Sequence, residues 1–414
     1  MIGEIIAIGD ELTSGRILNT TSNFAAARLF TAGHEIIAMT TIGDDPGLIG
    51  KTLLQSLARS DFAVVTGGLG ATTDDLTNEA VASALDRPST FYPEILRQIQ
   101  HNSKDTPEKV RSSLEKLAWL PAGAHSLKAE SRSAGYFLVH EGKPVFFLPG
   151  VPQEMEELLV ETVISRLSVW EGKEVRKVRQ RIYRVMDLAE TEINSKLKHI
   201  EDGNAGRVFI GYYPVFPEVQ VSLTVTGDDN EETAALFKDL DRQVRELLGV
   251  NIYGTDTQSL AEVVGSLLKE KNARLALAES CTGGLIASRI TAVAGSSGFF
   301  TGAVVVYSNE LKEKVLGVQN ATLVAHGAVS AQTAGEMVEG VRRISGADYA
   351  LSITGIAGPG GGSLAKPVGT VYIGLGSPAG TDVSLHNFSG NRQQVRKAAG
   401  QKALNILRLH LLGR

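Results

Sequence analysis

The stretch RLALAESCTGGLIASRIT, residues 274–291, decides the fold of the second half of the chain. It begins with a short apolar run, turns at two adjacent glycines and continues with the spacing of an amphipathic helix. A continuous apolar run followed by a helix is typical of a buried strand in an α/β sheet. Ser280 and Cys281 lie side by side where that strand is predicted to end, so two possible nucleophiles occupy one turn.

The same alternation of apolar runs and helical patterns covers most of the chain. In the first half the predicted strands are EIIAIG, EIIAMTTIG and DFAVVTGG, and in the second half they are RLALA, GAVVVYS, DYALSITG and VGTVYIGLG. The segment between the halves differs, because its strands at 177–186 and 218–227 look partly solvated and are each followed by a helix. We therefore predict an α/β protein with two three-layer domains, residues 1–168 and 257–414, joined by a small α+β module at 172–250.

The composition narrows the classes of function. The chain has 414 residues, more than one ordinary domain of ~150 residues, and its net charge of −5 gives no general attraction for nucleic acid or an anionic membrane. A single cysteine excludes an internal disulfide. No run reaches the ~18 apolar residues of a membrane span, and the N-terminal segment lacks the pattern of a secretion signal. We expect a cytoplasmic protein without nucleic-acid or membrane partners.

Two features after neighbouring predicted strands suggest nucleophilic catalysis. The turn Thr282-Gly283-Gly284 lets backbone amides approach a bound group and stabilise an oxyanion, although Ser280 could equally serve as a helix cap. Lys312 falls in the first turn of the helix after GAVVVYS, where the helix dipole lowers the pKa of a cation, although it could also be an ordinary solvated lysine. Tyr307 and Asn309 lie beside it.

A glycine-rich loop and an arginine pair complete the candidate site. The loop, TGIAGPGGGSLAKPVGT at 354–370, is more typical of ligand approach than of a simple connection. Arg392 and Arg396 stand one turn apart at the start of the last helix, where an anion would relieve their repulsion with the dipole. Two exposed arginines without a ligand are the alternative interpretation.

Together these segments resemble the C-terminal domain of the CinA family, the nicotinamide mononucleotide (NMN) amidohydrolases of PncC type. The matching motifs, in order, are AESCTGG, VYSNELK, GAVS, TGIAGPGGGS, KPVGT and FSGNR. The resemblance implies hydrolysis of NMN to nicotinate mononucleotide and ammonia without a cofactor, with Ser280 as nucleophile and Lys312 as its base. It also implies a substrate pocket built from Thr282, Gly283, Gly284, Tyr307, Asn309, Thr354, Gly355, Gly358, Arg392 and Arg396.

Cys281 is the competing nucleophile. A thiolate is intrinsically more reactive than a hydroxyl, and His326 could be its base. A buried thiol beside a functional residue is more often packing, so we favour Ser280.

The first half carries a second candidate site, in TGGLGATTDDLTNEA at 66–80. Gly67, Gly68 and Gly70 allow backbone to approach a phosphate, but the spacing is neither a dinucleotide fingerprint nor a P-loop. Asp74 and Asp75 follow, and Asp10 and Glu11 come after the first strand. These four acids could hold a hard cation, or Asp74 and Asp75, which begin the next predicted helix, could simply be favourable partners of its dipole.

These motifs, with LPGVPQEM at 148–155, resemble the molybdopterin-binding (MoaB/MogA-like) domain found at the N-terminus of full-length CinA proteins. The resemblance implies a pterin-type ligand, or cleavage of ADP-ribose to AMP and ribose 5-phosphate with a divalent metal of the Mg, Mn or Co type and K⁺. Two departures from the family pattern are Ala71 and Thr21, which replace a usual proline and asparagine.

The leading hypothesis is a homodimeric, bifunctional enzyme of pyridine-nucleotide recycling that acts on NMN and ADP-ribose. One alternative keeps only the amidohydrolase and makes the N-terminal domain a binding or dimerisation module. Another, of a different class, is a competence or DNA-damage accessory that acts through partner proteins.

Overall fold

The computed structural model describes residues 1–102, 114–127, 135–171, 177–228 and 230–414. The chain forms two compact units. The first contains residues 1–179 and 225–234, and the second contains residues 180–224 and 235–414.

The first unit is built on a six-stranded sheet in the order β2-β1-β3-β8-β7-β6. The strands are β1 (Ile2–Ile8), β2 (Glu35–Ile42), β3 (Phe62–Thr66), β6 (His125–Ser126), β7 (Tyr136–His140) and β8 (Lys143–Leu148), with β4 (Ser89–Phe91) and β5 (Trp119–Pro121) in a separate pair. The first four strands of the order are parallel, and β7 and β6 add antiparallel pairs at one edge.

Helices cover both faces of this sheet. They are α1 (Asp10–Thr13), α2 (Thr20–Thr31), α3 (Pro46–Arg59), α4 (Thr77–Ala84), α5 (Pro93–Asn102), α6 (Pro152–Leu158) and α7 (Ile164–Glu171). Successive residues of a strand point to opposite faces, and here both directions lead into apolar layers: Ile5 and Val64 pack on the α2 and α6 side, Ile6 and Val65 on the α3 and α4 side. The predicted three-layer arrangement is confirmed.

The middle module has a four-stranded sheet in the order β10-β11-β9-β12. Its elements are β9 (Lys177–Val185), α8 (Glu190–Asp202), β10 (Val208–Val215), β11 (Glu218–Gly227), α9 (Glu231–Leu248) and β12 (Ile252–Thr255). The two predicted strands and two predicted helices are present. Strands β10 and β12 were not predicted, because β10 carries a mixed pattern and β12 has only four residues.

The C-terminal sheet has the order β14-β13-β15-β16-β17. Its strands are β13 (Leu275–Glu279), β14 (Phe300–Val305), β15 (Tyr349–Gly355), β16 (Thr370–Ser377) and β17 (Gly380–Asn387). Its helices are α10 (Leu260–Glu270), α11 (Leu285–Thr291), α12 (Asn309–Leu316), α13 (Asn320–His326), α14 (Ala331–Ser345) and α15 (Arg392–Leu411). Strand β13 separates the two core layers, with Leu275 and Leu277 facing α10 and α15 and Ala276 and Ala278 facing α14.

Two details of this domain differ from the sequence-based expectation. Strands β13, β14 and β15 are parallel, but β16 pairs antiparallel with β15 and then forms a hairpin with β17. The helix predicted from residue 283 begins at Leu285, because Gly283 and Gly284 have positive φ angles of 60° and 87°.

The long helix α15 is also anchored to the middle module through polar groups. Asp187 accepts hydrogen bonds from Lys402 Nζ and Asn405 Nδ2, both at 2.9 Å. Arg408, 3% exposed, donates to the carbonyl groups of Val250 at 2.6 Å and Ile252 at 3.4 Å. Buried polar groups are tolerated when each finds a partner, and here the partners come from the module.

In the described parts of the chain, no helix is both long and apolar enough to cross a membrane.

Candidate active site

The turn after β13 is held in place by a carboxylate that sequence analysis missed. Glu279 is fully buried, and its carboxylate accepts hydrogen bonds from the backbone amides of Gly284 at 2.9 Å, Ile286 at 3.3 Å and Ala287 at 2.8 Å. These are orphan amides of the first turn of α11, and a negative charge there also satisfies the helix dipole. The N-terminus of α11 is therefore already occupied by an anion from the protein itself.

This arrangement corrects the role expected for the two glycines of the turn. The Gly284 amide is directed to Glu279, and the Gly283 amide donates to the Ser280 carbonyl at 3.1 Å. Neither is aimed at a bound group. Their contribution is conformational, since both lie in the left-handed region that favours glycine.

Ser280 and Cys281 have different environments. Ser280 is 8% exposed, its backbone amide donates to the Ile353 carbonyl at 2.9 Å, and its hydroxyl has no hydrogen-bond partner among the described residues. Cys281 belongs to the apolar core beneath the turn, and burial raises the pKa of its thiol to about 12. A thiol with such a pKa is almost entirely protonated at neutral pH, so the environment disfavours Cys281 as a nucleophile. His326, its proposed base, lies exposed at the end of α13.

Lys312 is buried, with 1% exposure, in the first turns of α12. Its Nζ donates to the carbonyl groups of Val306 at 2.9 Å and Tyr307 at 3.3 Å, and the Val306 amide donates to the Glu279 carbonyl at 2.9 Å. The amine therefore lies near the ends of β13 and β14, where it interacts electrostatically with the neighbouring Cys281 thiol. Among the described residues no hydrogen bond joins Nζ to the Ser280 hydroxyl. Burial lowers the pKa of Lys312, which favours the neutral amine that a base requires.

Two arginines of α15 connect the loops that follow three neighbouring strands. Arg392 donates to the Tyr307 hydroxyl and to the Gly358 carbonyl, both at 2.7 Å. Arg396 donates to the Thr282 carbonyl from Nη2 at 2.6 Å and from Nε at 3.2 Å. Within the described residues neither arginine has a carboxylate partner, so both guanidinium charges remain uncompensated at the helix N-terminus.

The remaining predicted residues take mixed positions. The Thr354 hydroxyl is used internally, donating to the Ala328 carbonyl at 2.7 Å, whereas Asn309 is exposed at the start of α12. Gly355 is required by packing, because a Cβ there would lie 2.8 Å from the Thr370 carbonyl oxygen. Thr282 is fully buried, and its hydroxyl has no hydrogen-bond partner among the described residues.

In the first unit, the glycine-rich loop after β3 lines a cavity of about 380 Å³. A Cβ on Gly67 would lie 2.1 Å from the Ile8 carbonyl oxygen, and one on Gly68 would lie 2.2 Å from Thr77 Oγ1. Gly70 has a similar constraint against Asp75. Gly67 and Gly68, which also have positive φ angles, are therefore needed to bring this loop close to β1 and α4, whereas a side chain at position 70 would only displace the Asp75 carboxylate.

Of the four predicted acids, Glu11, Asp74 and Asp75 line this cavity and Asp10 is not in its described lining, and the carboxylates of Asp10 and Asp75 are hydrogen-bonded to the protein. The Asp10 amide donates to the Asp44 carboxylate at 2.9 Å, and the Asp44 amide donates to the Asp10 carboxylate at 3.2 Å. Asp75 accepts hydrogen bonds from the Thr72 amide and hydroxyl. Asp74 and Asp75 lie in the turn before α4 rather than in the helix, which begins at Thr77.

The same cavity contains acids that sequence analysis did not select. Asp44 and Glu154 line it with Glu11, Asp74 and Asp75, and no basic residue is among its described lining. Burial and the charges of Asp10, Glu11 and Asp74 raise the pKa of Asp44. In the described residues no three carboxylates converge closely enough to hold a metal by themselves.

Three known protein families match successive parts of the chain. Residues 257–411 match the family described as CinA C-terminal domain, residues 4–168 match probable molybdopterin binding domain, and residues 180–254 match damage-inducible protein CinA KH domain. A CinA-like protein of Desulfotalea psychrophila is 48% identical over 410 residues, covering 99% of this chain and 98% of that protein. This chain belongs to the CinA family.

Another CinA-like protein also matches over nearly the whole chain, whereas a solved structure matches over part of it. A CinA-like protein of Geobacter sulfurreducens is 41% identical, with 98% of both chains covered. Among solved structures, the competence/damage inducible protein CihA of Agrobacterium tumefaciens is 39% identical over 37% of this chain and 93% of its own, with a TM-score of 0.36.

The residues that sequence analysis missed in this CinA-family chain share one property. Glu279 is the last residue of β13 and Asp44 follows β2, and the carboxylate of each accepts hydrogen bonds from backbone amides that cannot be located without the fold. In the sequence, Glu279 could have been selected as the last residue of a predicted buried strand. Asp44 could have been selected as an acidic residue after the second predicted strand.

Proposed function

We propose that the C-terminal domain hydrolyses the carboxamide of NMN to nicotinate mononucleotide and ammonia. The observation that carries the proposal is the buried Lys312 amine beside the Ser280 turn. Its two hydrogen bonds to carbonyl groups orient Nζ, and the third direction is left for the lone pair of the neutral amine.

In this mechanism neutral Lys312 removes the proton of the Ser280 hydroxyl as Oγ attacks the carboxamide carbon. The tetrahedral intermediate collapses when the Lys312 ammonium returns that proton to the amide nitrogen, so ammonia leaves and an acyl ester remains on Ser280. Water, deprotonated by Lys312, then attacks the ester, and the serine recovers its proton. The reaction needs no metal ion in any of these steps.

Charge gives the substrate one orientation. Glu279 already occupies the N-terminus of α11, so a phosphate there would meet a buried carboxylate. Arg392 and Arg396 offer uncompensated charge at the start of α15, where helix amides also favour an anion. The phosphate of NMN therefore points to α15, and its carboxamide points to Ser280.

The test is ammonia release from NMN by wild type, Ser280→Ala and Cys281→Ala, with Ser288→Ala as the matched control on the exposed side of α11. We expect loss of activity only for Ser280→Ala. Activity lost with Cys281 and retained without Ser280 would make this a thiol enzyme and refute the mechanism. A wild type without ammonia release would refute the amidohydrolase itself.

For the N-terminal domain we propose cleavage of ADP-ribose to AMP and ribose 5-phosphate. The specific observation is a cavity of about 380 Å³ that joins a glycine loop with five acids and no base in its described lining. A pyrophosphate is repelled by such a lining unless cations enter with it. The carboxylates around Asp44 would hold a hard divalent ion together with phosphate oxygens, and the ion would neutralise phosphate charge. K⁺ remains part of this proposal.

Release of AMP from ADP-ribose, titrated with Mg²⁺ or Mn²⁺, tests the second activity. Asp44→Asn should require more metal for half-maximal rate. Asp61→Asn is the control, because Asp61 precedes β3, at the opposite end of that strand from the glycine loop, and accepts a hydrogen bond from the Ile2 amide. An unchanged metal titration in Asp44→Asn would remove this acid from the site. An inactive wild type would favour the alternative of a binding or dimerisation module. Homodimer formation and the absence of nucleic-acid binding also remain predictions.

A further inference from the structure

Another cavity, which lies in the second unit, has no part in the proposed reactions. It has a volume of about 520 Å³ and lies where the turn between β10 and β11 meets helices α10, α11 and α15. Small-molecule sites have volumes of about 300–1,000 Å³, so this cavity has the size of a ligand site.

The acid at the floor of this cavity is already neutralised. Glu218, 6% exposed, accepts hydrogen bonds from Arg184 Nη2 at 2.6 Å and Nε at 2.9 Å and from the Tyr253 hydroxyl. The other lining acid, Glu262, accepts the Ser259 amide at 2.6 Å and caps α10. Neither carboxylate forms a salt bridge with another described cation of the lining, although Glu218 still attracts the Arg289 guanidinium over a longer distance.

Two cations that line the cavity do lack such a partner. Arg289, on α11, donates from Nη1 to Gln401 Oε1 at 3.1 Å, and burial lowers its pKa. Lys397, on α15, is exposed. Within the described residues no carboxylate forms a salt bridge with either. The lining therefore has three cations, Arg184 included, against two acids, and its unpaired charge is positive.

The lining also contains apolar side chains and one exposed aromatic ring. Val215, Phe216 and Pro217 lie at the turn between β10 and β11, and Phe216 is 49% exposed. Leu260, Val293 and Leu404 also line the cavity. A lining with cations that lack a salt bridge and an exposed ring suits a ligand with an anionic group and a planar body.

We propose that this cavity is a binding site for a nucleoside monophosphate, whose phosphate contacts Arg289 and Lys397 and whose base packs on Phe216. The site is separate from the Ser280 turn, and the proposal does not depend on either proposed activity.

The test uses the full chain and calorimetric titration with AMP, ribose 5-phosphate and adenosine. AMP should bind, ribose 5-phosphate about tenfold more weakly because it lacks the base, and adenosine not measurably. Arg289→Gln and Lys397→Gln should each weaken AMP binding about tenfold, as expected when one charge-assisted contact is lost. Lys271→Gln, the same charge change at the far end of α10, should bind AMP as wild type does.

Hydrogen exchange locates the bound AMP independently of affinity, because a site in the N-terminal cavity could also take it. We expect protection at residues 215–218 and 259–262. Protection confined to the N-terminal domain, an affinity unchanged in both variants, or adenosine binding as tightly as AMP would each overturn the proposal. Arg289→Lys, which keeps the charge, should retain most of the affinity and separates loss of binding from misfolding.

Discussion

Replacing the buried carboxylate of Glu279 by an amide tests whether this group organises the catalytic turn. Glu279→Gln keeps the size of the side chain but removes its charge and replaces one acceptor oxygen by a donor. Three backbone amides now bond to the carboxylate. In the variant, the side-chain carbonyl oxygen can keep only the hydrogen bonds of the carboxylate oxygen that it replaces. The new NH₂ group, which is a donor, then faces a backbone N–H that is also a donor.

The expected loss of stability follows from these three hydrogen bonds. A hydrogen bond to a charged group contributes about 1.5–3 kcal/mol and a neutral one about 0.5–1.5, so losing the charge costs about 1 kcal/mol per bond. The helix dipole adds about 0.5 kcal/mol, and the smaller cost of burying an amide offsets part of the total. We expect the C-terminal unit to lose about 2–4 kcal/mol, and kcat for NMN to fall about 10- to 100-fold because Ser280 adjoins the turn.

The assay must report on the correct part of the chain. Both tryptophans, Trp119 and Trp170, lie in the first unit, so their fluorescence would miss the change. Hydrogen exchange at the amides of α11 in increasing urea measures it directly. Glu310→Gln, at a side chain 70% exposed, is the control and should cost no more than about 0.5 kcal/mol. Equal stability of the two variants would refute the assigned role of Glu279.

Further predictions concern four other residues, Lys312, Cys281, Gly67 and Arg408. Because burial lowers the pKa of Lys312, kcat/KM for NMN should rise with pH through a value below 10.5, and Lys312→Met should abolish both the activity and this rise. By the same shift, the folded state should lose stability as pH falls from 10.5 towards the folded pKa, and urea titrations of Lys312→Met should lack that dependence. Cys281 should react with a thiol reagent at pH 8 only after unfolding, since its pKa is about 12; rapid labelling of native protein would contradict its burial. Gly67→Ala should destabilise the first unit by more than about 2 kcal/mol in tryptophan-monitored unfolding, whereas Gly15→Ala, with positive φ but open space, should cost only about 1 kcal/mol. Arg408→Met should cost about 2–3 kcal/mol because two backbone carbonyls lose a charged donor, and an unchanged urea midpoint would show that this anchor contributes nothing.

Sequence patterns predicted the fold where a residue's neighbours along the chain determine its structure. Buried strands such as β13 are continuous apolar runs, and α14 was predicted at 331–345, as observed. Strand β16 was predicted without a direction, because an apolar run looks the same in either direction, and β17 was not predicted, because GTDVSLHN is largely polar and half exposed. Strand direction depends on what the strand pairs with, which is a property of the whole sheet.

For the candidate site, sequence predicted which segments meet but not how their polar atoms pair. Arg392 lies near Tyr307 and Gly358 as the motifs suggested, and Ser280 and Lys312 follow adjacent strands. The same motifs suggested free amides at Gly284, and a buried glutamate takes that position instead. Burial and hydrogen-bond geometry decide whether a group is available for a ligand, and neither can be read from residue types.

The polar face of α15 has a consequence for how such chains can be divided. Gln401, Asn405 and Arg408 are 8%, 1% and 3% exposed, and their spacing of four and three residues places them on one side of the helix. Without a middle module, Asn405 would lose Asp187 and Arg408 would lose the carbonyl groups of Val250 and Ile252, whereas Gln401 would keep Arg289. Selection on the first two side chains should therefore relax in a C-terminal domain that works alone, and polar residues at these two positions should distinguish domains that are attached to such a module from those that are not.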